Sequence, residues 1–318
     1  MAAQKIFTPE EIAAQAGGEI PFLRLPARLT VFSDRAARLR QLAPGHSMAG
    51  YLEFIAHVAD AQQRALDAPP QVGLPPEAAL AQSREHGMPP LNAQTFMRDP
   101  RWCDVLRRLL RDLAAHTEGS AHDIVNALEN ERDELYEAQA SKLLNGIAFG
   151  LNVAWAPLIG AALQVYWTHL TTTLGAAAFA RLDMPNVCPC CGMQPVASIA
   201  RIGAQENGYR YLHCSLCAAE WHMVRIKCAA CDSTKGISYQ SIADARPAER
   251  HAVKAECCDE CDSYLKILYM ERDAQVEPVA DDLATLPLDL LVADTGKLCA
   301  GVNFMLLHGE PAQDAAGV

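Results

Sequence analysis

Residues 209–241 read YRYLHCSLCAAEWHMVRIKCAACDSTKGISYQS and hold two Cys-x-x-Cys pairs, Cys214/Cys217 and Cys228/Cys231, with ten residues between them. Two more pairs lie outward, Cys188/Cys191 and Cys258/Cys261. Ten of the 12 cysteines in 318 residues fall between Cys188 and Cys261, and the first 187 residues hold only Cys103. Closely spaced pairs in a chain that shows no secretory signal read as metal ligands rather than disulfides. Two intervening residues let a tight turn aim both sulfurs at one ion, with backbone N–H groups near them to offset charge. Eight cysteines supply two tetrahedral sites of four thiolates. Intervals of 22 residues (Cys191 to Cys214) and 26 residues (Cys231 to Cys258) leave room for a hairpin between knuckles. We therefore expect Cys188, Cys191, Cys214 and Cys217 in one site and Cys228, Cys231, Cys258 and Cys261 in the other. Other pairings stay open, among them Cys214/Cys217 with Cys228/Cys231, which would bring the outer pairs together across the whole module. A closed thiolate shell suits zinc or a single rubredoxin-type iron, leaves less room for a four-iron cluster, and has no open position for metal-assisted hydrolysis. Cys190 and Cys257 adjoin ligand positions as spare thiols. His213 and His222 flank the second knuckle and read as neighbours of a site, not ligands.

Upstream of this region the patterning is helical. Leu29–Leu42 carries Leu29, Phe32, Ala36, Leu39 and Leu42 at helical spacing, with Arg35, Arg38 and Arg40 largely off that stripe. Met48–Leu66 follows, with Leu52, Ile55, Ala59 and Gln63 in line. Residues 68–100 hold seven prolines and read as a long connection with one short helix near Glu77–Glu85. The run WCDVLRRLLRDLAAH then presents Trp102, Leu106, Leu109, Leu110 and Leu113 on one face, and Cys103 on this helix reads as core. Further helices are expected over Ala121–Glu129, Glu131–Phe149 and Leu158–Leu182, and a short one begins near Thr8. After Pro185 the pattern turns to short strands: Pro195–Ile202, Tyr209–His213, Glu220–Lys227, Gly236–Ser241 and Tyr264–Tyr269. A short helix is expected near Asp244–Glu256, and another in DDLATLPLDLLVAD. The last ten residues look loose. The expected class is α+β and multidomain: an all-helical domain over 1–184, two small rubredoxin-like or zinc-ribbon β modules over 185–226 and 227–270, and an acidic C-terminal helix and tail over 271–318.

Composition bounds the function. Half the residues are hydrophobic and the formal net charge is −11, which argues against a general nucleic-acid binder. Arg201, Arg210, Arg225 and Lys227 nevertheless give the first ribbon a local positive bias, so that alternative is carried. Leu143–Arg181 lacks Asp, Glu and Lys, but Asn145, Asn152, Gln164 and a central Pro157 interrupt it, and a buried helical pair is expected rather than a membrane span. No phosphate loop, dinucleotide fingerprint, zinc-protease or serine-hydrolase motif is present, and Glu10/Glu11 and Asp281/Asp282 read as surface acidic pairs.

The run 209–241, the run VKAECCDECDSYLKILYMERDAQVEPVADDLATLPLDLLV (253–292), the opening knuckle CPCCGMQPVAS and the stretch LPARLTVFSDRAARLRQLAPGHSMAGYLEFIAHVADAQQRAL (25–66) closely resemble the FdhE family of formate dehydrogenase accessory proteins. The likeness runs from about Pro21 to Leu291, and generic zinc ribbons do not share the HCSLCAAEWH and YLKILY contexts. The resemblance implies a cytoplasmic maturation protein, not an enzyme, needed for the activity of respiratory formate dehydrogenases. It implies contact with their catalytic subunit before export through the twin-arginine route. It implies two metal ions on Cys188, Cys191, Cys214, Cys217, Cys228, Cys231, Cys258 and Cys261, iron being favoured and zinc the alternative. Cys190 and Cys257 are additions to the family pattern. A redox-active iron protein passing electrons to the client and a zinc-ribbon nucleic-acid binder are the competing readings; a homodimer is compatible with each.

Overall fold

The computed structural model describes residues 20–202, 208–242 and 251–307. The helix expected near Thr8, most of that expected near Asp244–Glu256 and the loose last ten residues lie outside this range. Among the described residues seven α-helices build the N-terminal body: α1 Val31–Leu42, α2 Ala49–Asp67, α3 Glu77–Glu85, α4 Trp102–Ala114, α5 Gly119–Glu129, α6 Asp133–Leu144 and α7 Ala156–Leu174. Helix α7 is the hub, packed by α2, α4 and α6. It is apolar nearly all round because nearly all of it is buried. Pro157 stands in its first turn, where a missing N–H costs nothing, and not in its middle. Among the described residues no helix is long and apolar enough to cross a membrane. Gly160 on α7 admits the C-terminal segment: a Cβ there would sit 2.8 Å from that of Phe304.

The strands are β1 Leu23–Arg24, β2 Pro195–Ala200, β3 Arg210–Cys214, β4 Glu220–Met223, β5 Ile237–Gln240, β6 Val253–Cys258, β7 Ser263–Tyr269 and β8 Leu298–Cys299. Two expectations are corrected here. The N-terminal part is not all-helical, because β1 pairs with β4 (Leu23 opposite Trp221). The end of the helix expected over Asp244–Glu256 is strand, because residues 253–258 form a ladder with β7.

The two cysteine-bearing stretches share one sheet, ordered β1-β4-β3-β2-β7-β6-β5, with β8 beside β7. Each stretch repeats one plan: knuckle, strand, antiparallel strand ending on the first cysteine of a second knuckle, then a third strand. Pro195 faces Cys214 in the first unit as Ile237 faces Cys258 in the second. The units meet through a parallel pairing, Ser198 with Ile267 and Ala200 with Tyr269. Both central strands are buried along their full length, as in sheets covered on two faces. The parallel pairing sets both pairs of knuckles at the same end of the sheet.

The acidic C-terminal run folds as two helices, α8 Pro278–Ala284 and α9 Leu286–Ala293, separated at Thr285, with Pro287 in the first turn of α9. These helices correct the reading of α1. Leu29 is 79% exposed and precedes the helix, while Arg35 and Arg38 are buried. The reason is a second neighbour: α1 packs on α2 with one side and on α8 with the other. Arg38 grips Asp281 with two N–H groups at 2.9 and 2.6 Å and reaches Asp273 at 2.7 Å. Arg35 donates to Glu277 at 3.0 Å and to Gln164 at 3.2 Å. Asp281 is therefore no surface acid. Burial pushes its pKa up, against the pull of the Arg38 guanidinium.

Removing one partner of this pair leaves a buried charge unmatched. Arg38→Ala should destabilise the fold by about 3–5 kcal/mol in urea unfolding, whereas Arg38→Met with Asp281→Leu should recover most of that loss.

Candidate metal centres

Each knuckle is a tight turn in which the residue after the second cysteine adopts a left-handed backbone: Gly192 (φ 74°), Ala218 (φ 56°), Asp232 (φ 66°) and Asp262 (φ 50°). The last three are all the non-glycine residues with positive φ among the described residues. This conformation is costly for side chains with a Cβ. Within the knuckle, N–H groups from two and three residues on face the first sulfur. Leu216 and Cys217 each donate to Cys214 Sγ at 3.4 Å, and Ala230 and Cys231 to Cys228 Sγ at 3.3 and 3.5 Å.

The four knuckles come together as two sets: Cys188, Cys191, Cys214 and Cys217, and Cys228, Cys231, Cys258 and Cys261. Within each set the sulfurs lie within 4.8 Å of one another. In the first, Cys188 and Cys217 sulfurs are 3.5 Å apart and those of Cys191 and Cys214 3.3 Å. In the second, the Cys228–Cys261 and Cys231–Cys258 distances are 3.7 Å. A tetrahedral ion with bonds of about 2.3 Å sets sulfurs about 3.8 Å apart, while a disulfide needs about 2.05 Å. Both sets fit a four-thiolate metal, zinc or single iron by donor chemistry. The alternative pairing of Cys214/Cys217 with Cys228/Cys231 is not the one the fold assembles.

The environments differ sharply. No sulfur residue of the first set is more than 1% exposed, and all four belong to the main hydrophobic core. Burial pushes the thiols of Cys188 and Cys191 well above their ordinary value. Four ionised sulfurs there require a cation. The proline-rich segment, a long connection by sequence, helps seal the set: Leu91 and Ala93 donate N–H groups to Cys190 and Cys191 carbonyls at 3.0 and 2.9 Å. The second set has Cys228 and Cys258 buried but Cys231 and Cys261 exposed. Burial raises the Cys228 thiol, yet the N–H groups of Cys231 and Ala230 bring it down to about 7.

Cys190 is a buried fifth thiol beside Cys188 and Cys217. Cys257 points away from its set into a small cluster with Tyr264, Leu288 and Val292. His213 Nδ1 meets Glu220 at 3.1 Å, and His222 lies edge-on to Tyr209 and Tyr211; neither joins a cysteine set. Burial raises the Glu220 carboxyl, but Arg201 and His213 overcome that and hold it at about 2. Half of the basic bias of the first ribbon, Arg201 and Arg210, is spent inside the protein, while Arg225 is exposed and Lys227 pairs at the surface. Arg201 pairs with Glu220, buried Arg210 with Glu256 at 2.7 Å, and Lys227 with Asp232 at 2.5 Å.

A groove of about 840 Å³ adjoins the first knuckle, lined by Ile147, Phe149, Val153, Met184, Met193 and Phe304 among others. Phe149 is 87% exposed and Met184 63%. Nothing in the amino-acid pattern of 143–187 distinguished these outward apolar side chains from the buried ones of α7.

Three family models match the chain: "FdhE, N-terminal" over residues 20–183, "FdhE, central domain" over 187–225 and "FdhE, C-terminal domain" over 226–306. A protein FdhE homolog of Edwardsiella ictaluri is 42% identical over 312 residues, covering 96% of this chain and 99% of that protein. One from Pseudomonas aeruginosa is 40% identical over 309 residues, with the same coverage. The crystal structure of the FdhE protein from Pseudomonas aeruginosa superposes with a TM-score of 0.84 at 39% identity, covering 91% of this chain and 100% of that one.

The left-handed turn positions can be tested individually. At Gly192 a Cβ would meet Pro89 Cγ at 3.1 Å and Asn92 Nδ2 at 3.2 Å. Gly192→Ala should therefore cost about 1–2 kcal/mol in thermal unfolding of the metal-loaded protein. Ala218→Gly, at the matching place in the second knuckle, should be neutral or stabilising by up to about 1 kcal/mol.

Proposed function

The chain belongs to the FdhE family of formate dehydrogenase formation proteins, and on that premise we propose that it binds the catalytic subunit of a respiratory formate dehydrogenase in the cytoplasm, before export, with a metal ion held by each cysteine set. The observation that carries this reading is the combination of two closed four-sulfur sets with an apolar groove beside one of them. Family resemblance favours iron in both sets. Cys188, Cys191, Cys214 and Cys217 would hold one ion, and Cys228, Cys231, Cys258 and Cys261 the other. A bound ion would supply rigidity to the knuckles and, if iron, a one-electron centre. The protein's own residues fix the turns, exclude water from the first set and offer the partner surface.

The lining of the groove supports one chemistry for the segment it would receive. Among the described residues Lys142 is its one charged lining residue, in a chain where a fifth of the residues are charged. Its ammonium is tied to the Gly150 carbonyl at 2.8 Å. An uncharged, apolar segment of the catalytic subunit fits such a lining, since a charged one would lose hydration with no partner to replace it.

Anaerobic co-purification with the catalytic subunit tests the assignment. Capture of the subunit by the metal-loaded chain is expected, and no capture with both metals retained would overturn it. Phe149→Asp, at an exposed position, should weaken capture by at least about tenfold without changing metal content, because it puts a charge where the complex would bury an aromatic ring.

A further inference from the structure

We propose that the second cysteine set is where metal is exchanged with a thiol-bearing partner, and that the first set is sealed and structural. This rests on the reading of both sets as metal sites. Two observations carry it independently. The first is access. An incoming ligand must approach the ion as one cysteine leaves. In the first set every ligand residue lies within the core, under α7 and the segment around Leu91. In the second, Cys231 and Cys261 reach the surface.

The second observation comes from comparing the two repeats. Ser263 stands two residues after Cys261, and Ala219 two residues after Cys217. Each is the partner of the first cysteine of its knuckle: Cys258 opposes Ser263, and Cys214 donates its N–H to the Ala219 carbonyl at 2.9 Å. At this equivalent place the sealed site carries a methyl group and the open one a hydroxyl. Ser263 Oγ lies 2.9 Å from Cys261 Sγ and 3.9 Å from Cys228 Sγ. Toward an ionised sulfur a hydroxyl can only donate. Such a bond draws charge from the Cys261 sulfur, weakens its hold on a cation and stabilises it as it departs. Ser263 is thus a positioning residue for a leaving ligand. The exchange moves no electrons: the partner's thiol gives up its proton on taking the vacated position, and the displaced cysteine takes one up.

The test uses the full chain loaded with cobalt(II), whose thiolate absorption reports each site. On adding excess EDTA, loss of one equivalent in a fast phase and the other in a slow phase is expected. Brief treatment with N-ethylmaleimide before the slow phase, followed by peptide mapping, should label Cys231 and Cys261 and spare Cys188, Cys191, Cys214 and Cys217. Ser263→Ala should slow the fast phase by about three- to tenfold, the worth of one hydrogen bond, and leave the slow phase unchanged. Release of both ions in one phase, labelling of the first set before the second, or an unaltered fast phase in Ser263→Ala would overturn the inference. A chain that bound no cobalt would overturn the metal reading beneath it. Two phases without capture of the catalytic subunit would overturn only the client assignment.

Discussion

Four cysteine sulfurs held out of water inside the main hydrophobic core are the constraint around which the molecule is organised. Ionised together without a cation they would repel one another in a medium that screens poorly. Left protonated, they would be a loosely packed cluster of weak hydrogen-bonding groups. A bound metal ion would resolve this conflict, and the stability of the helical body and the occupancy of the first site would then be linked quantities. The link is physical: Gln164 on α7 donates to the Ser215 carbonyl inside the second knuckle at 2.8 Å. The same side chain accepts from Arg35 and from Gln62 at 2.9 Å.

That amide sits in a chain of polar contacts crossing the protein: Glu277 on the C-terminal side, Arg35 on α1, Gln164 on α7, then the knuckle. Each member is held by a different element, so no one segment can shift without leaving a buried group unmatched. The C-terminal helices are bound in a second way through Lys266. It is buried in the middle of β7 between Asp282 and Asp289, at 3.2 and 2.5 Å. The acidic composition of the C-terminal run is thus explained mainly by buried cations of other segments and not by solvation.

Much of this was legible, and the boundary is instructive. The cysteine intervals announced two sets because a knuckle is a local turn and a hairpin has a characteristic length. The apolar stripe of α4 was legible because the helix has one dominant buried side, and that of α2 because its several interfaces are mostly apolar. Arg35 and Arg38 were not, because a helix packed on two sides carries polar groups into one interface, and periodicity registers only the apolar one. The parallel join of β2 to β7 was equally hidden. Its partners are 69 residues apart, and neither strand alternates, since both faces are covered. The role of residues 87–93 was obscured by Pro89 and Pro90, which read as a break although Leu91 and Ala93 just after them hydrogen-bond to the first knuckle.

The shared sheet also explains how one site can lie open to water. A lone ribbon has little core of its own and depends on its metal and a few apolar contacts. Here the second unit is pinned through β7, whose residues are buried throughout and paired on both sides. Its outer strand β5 is largely exposed, with Tyr239 held to Glu256 at 3.0 Å. The first unit has its outer strand covered by β1 and its knuckles covered by helices. Joining two copies of one plan edge to edge therefore gives unequal partners. The inner copy is anchored in the core, and the outer copy borrows that anchorage. A metal ion could leave and return at the outer copy without unfolding the strands that carry it.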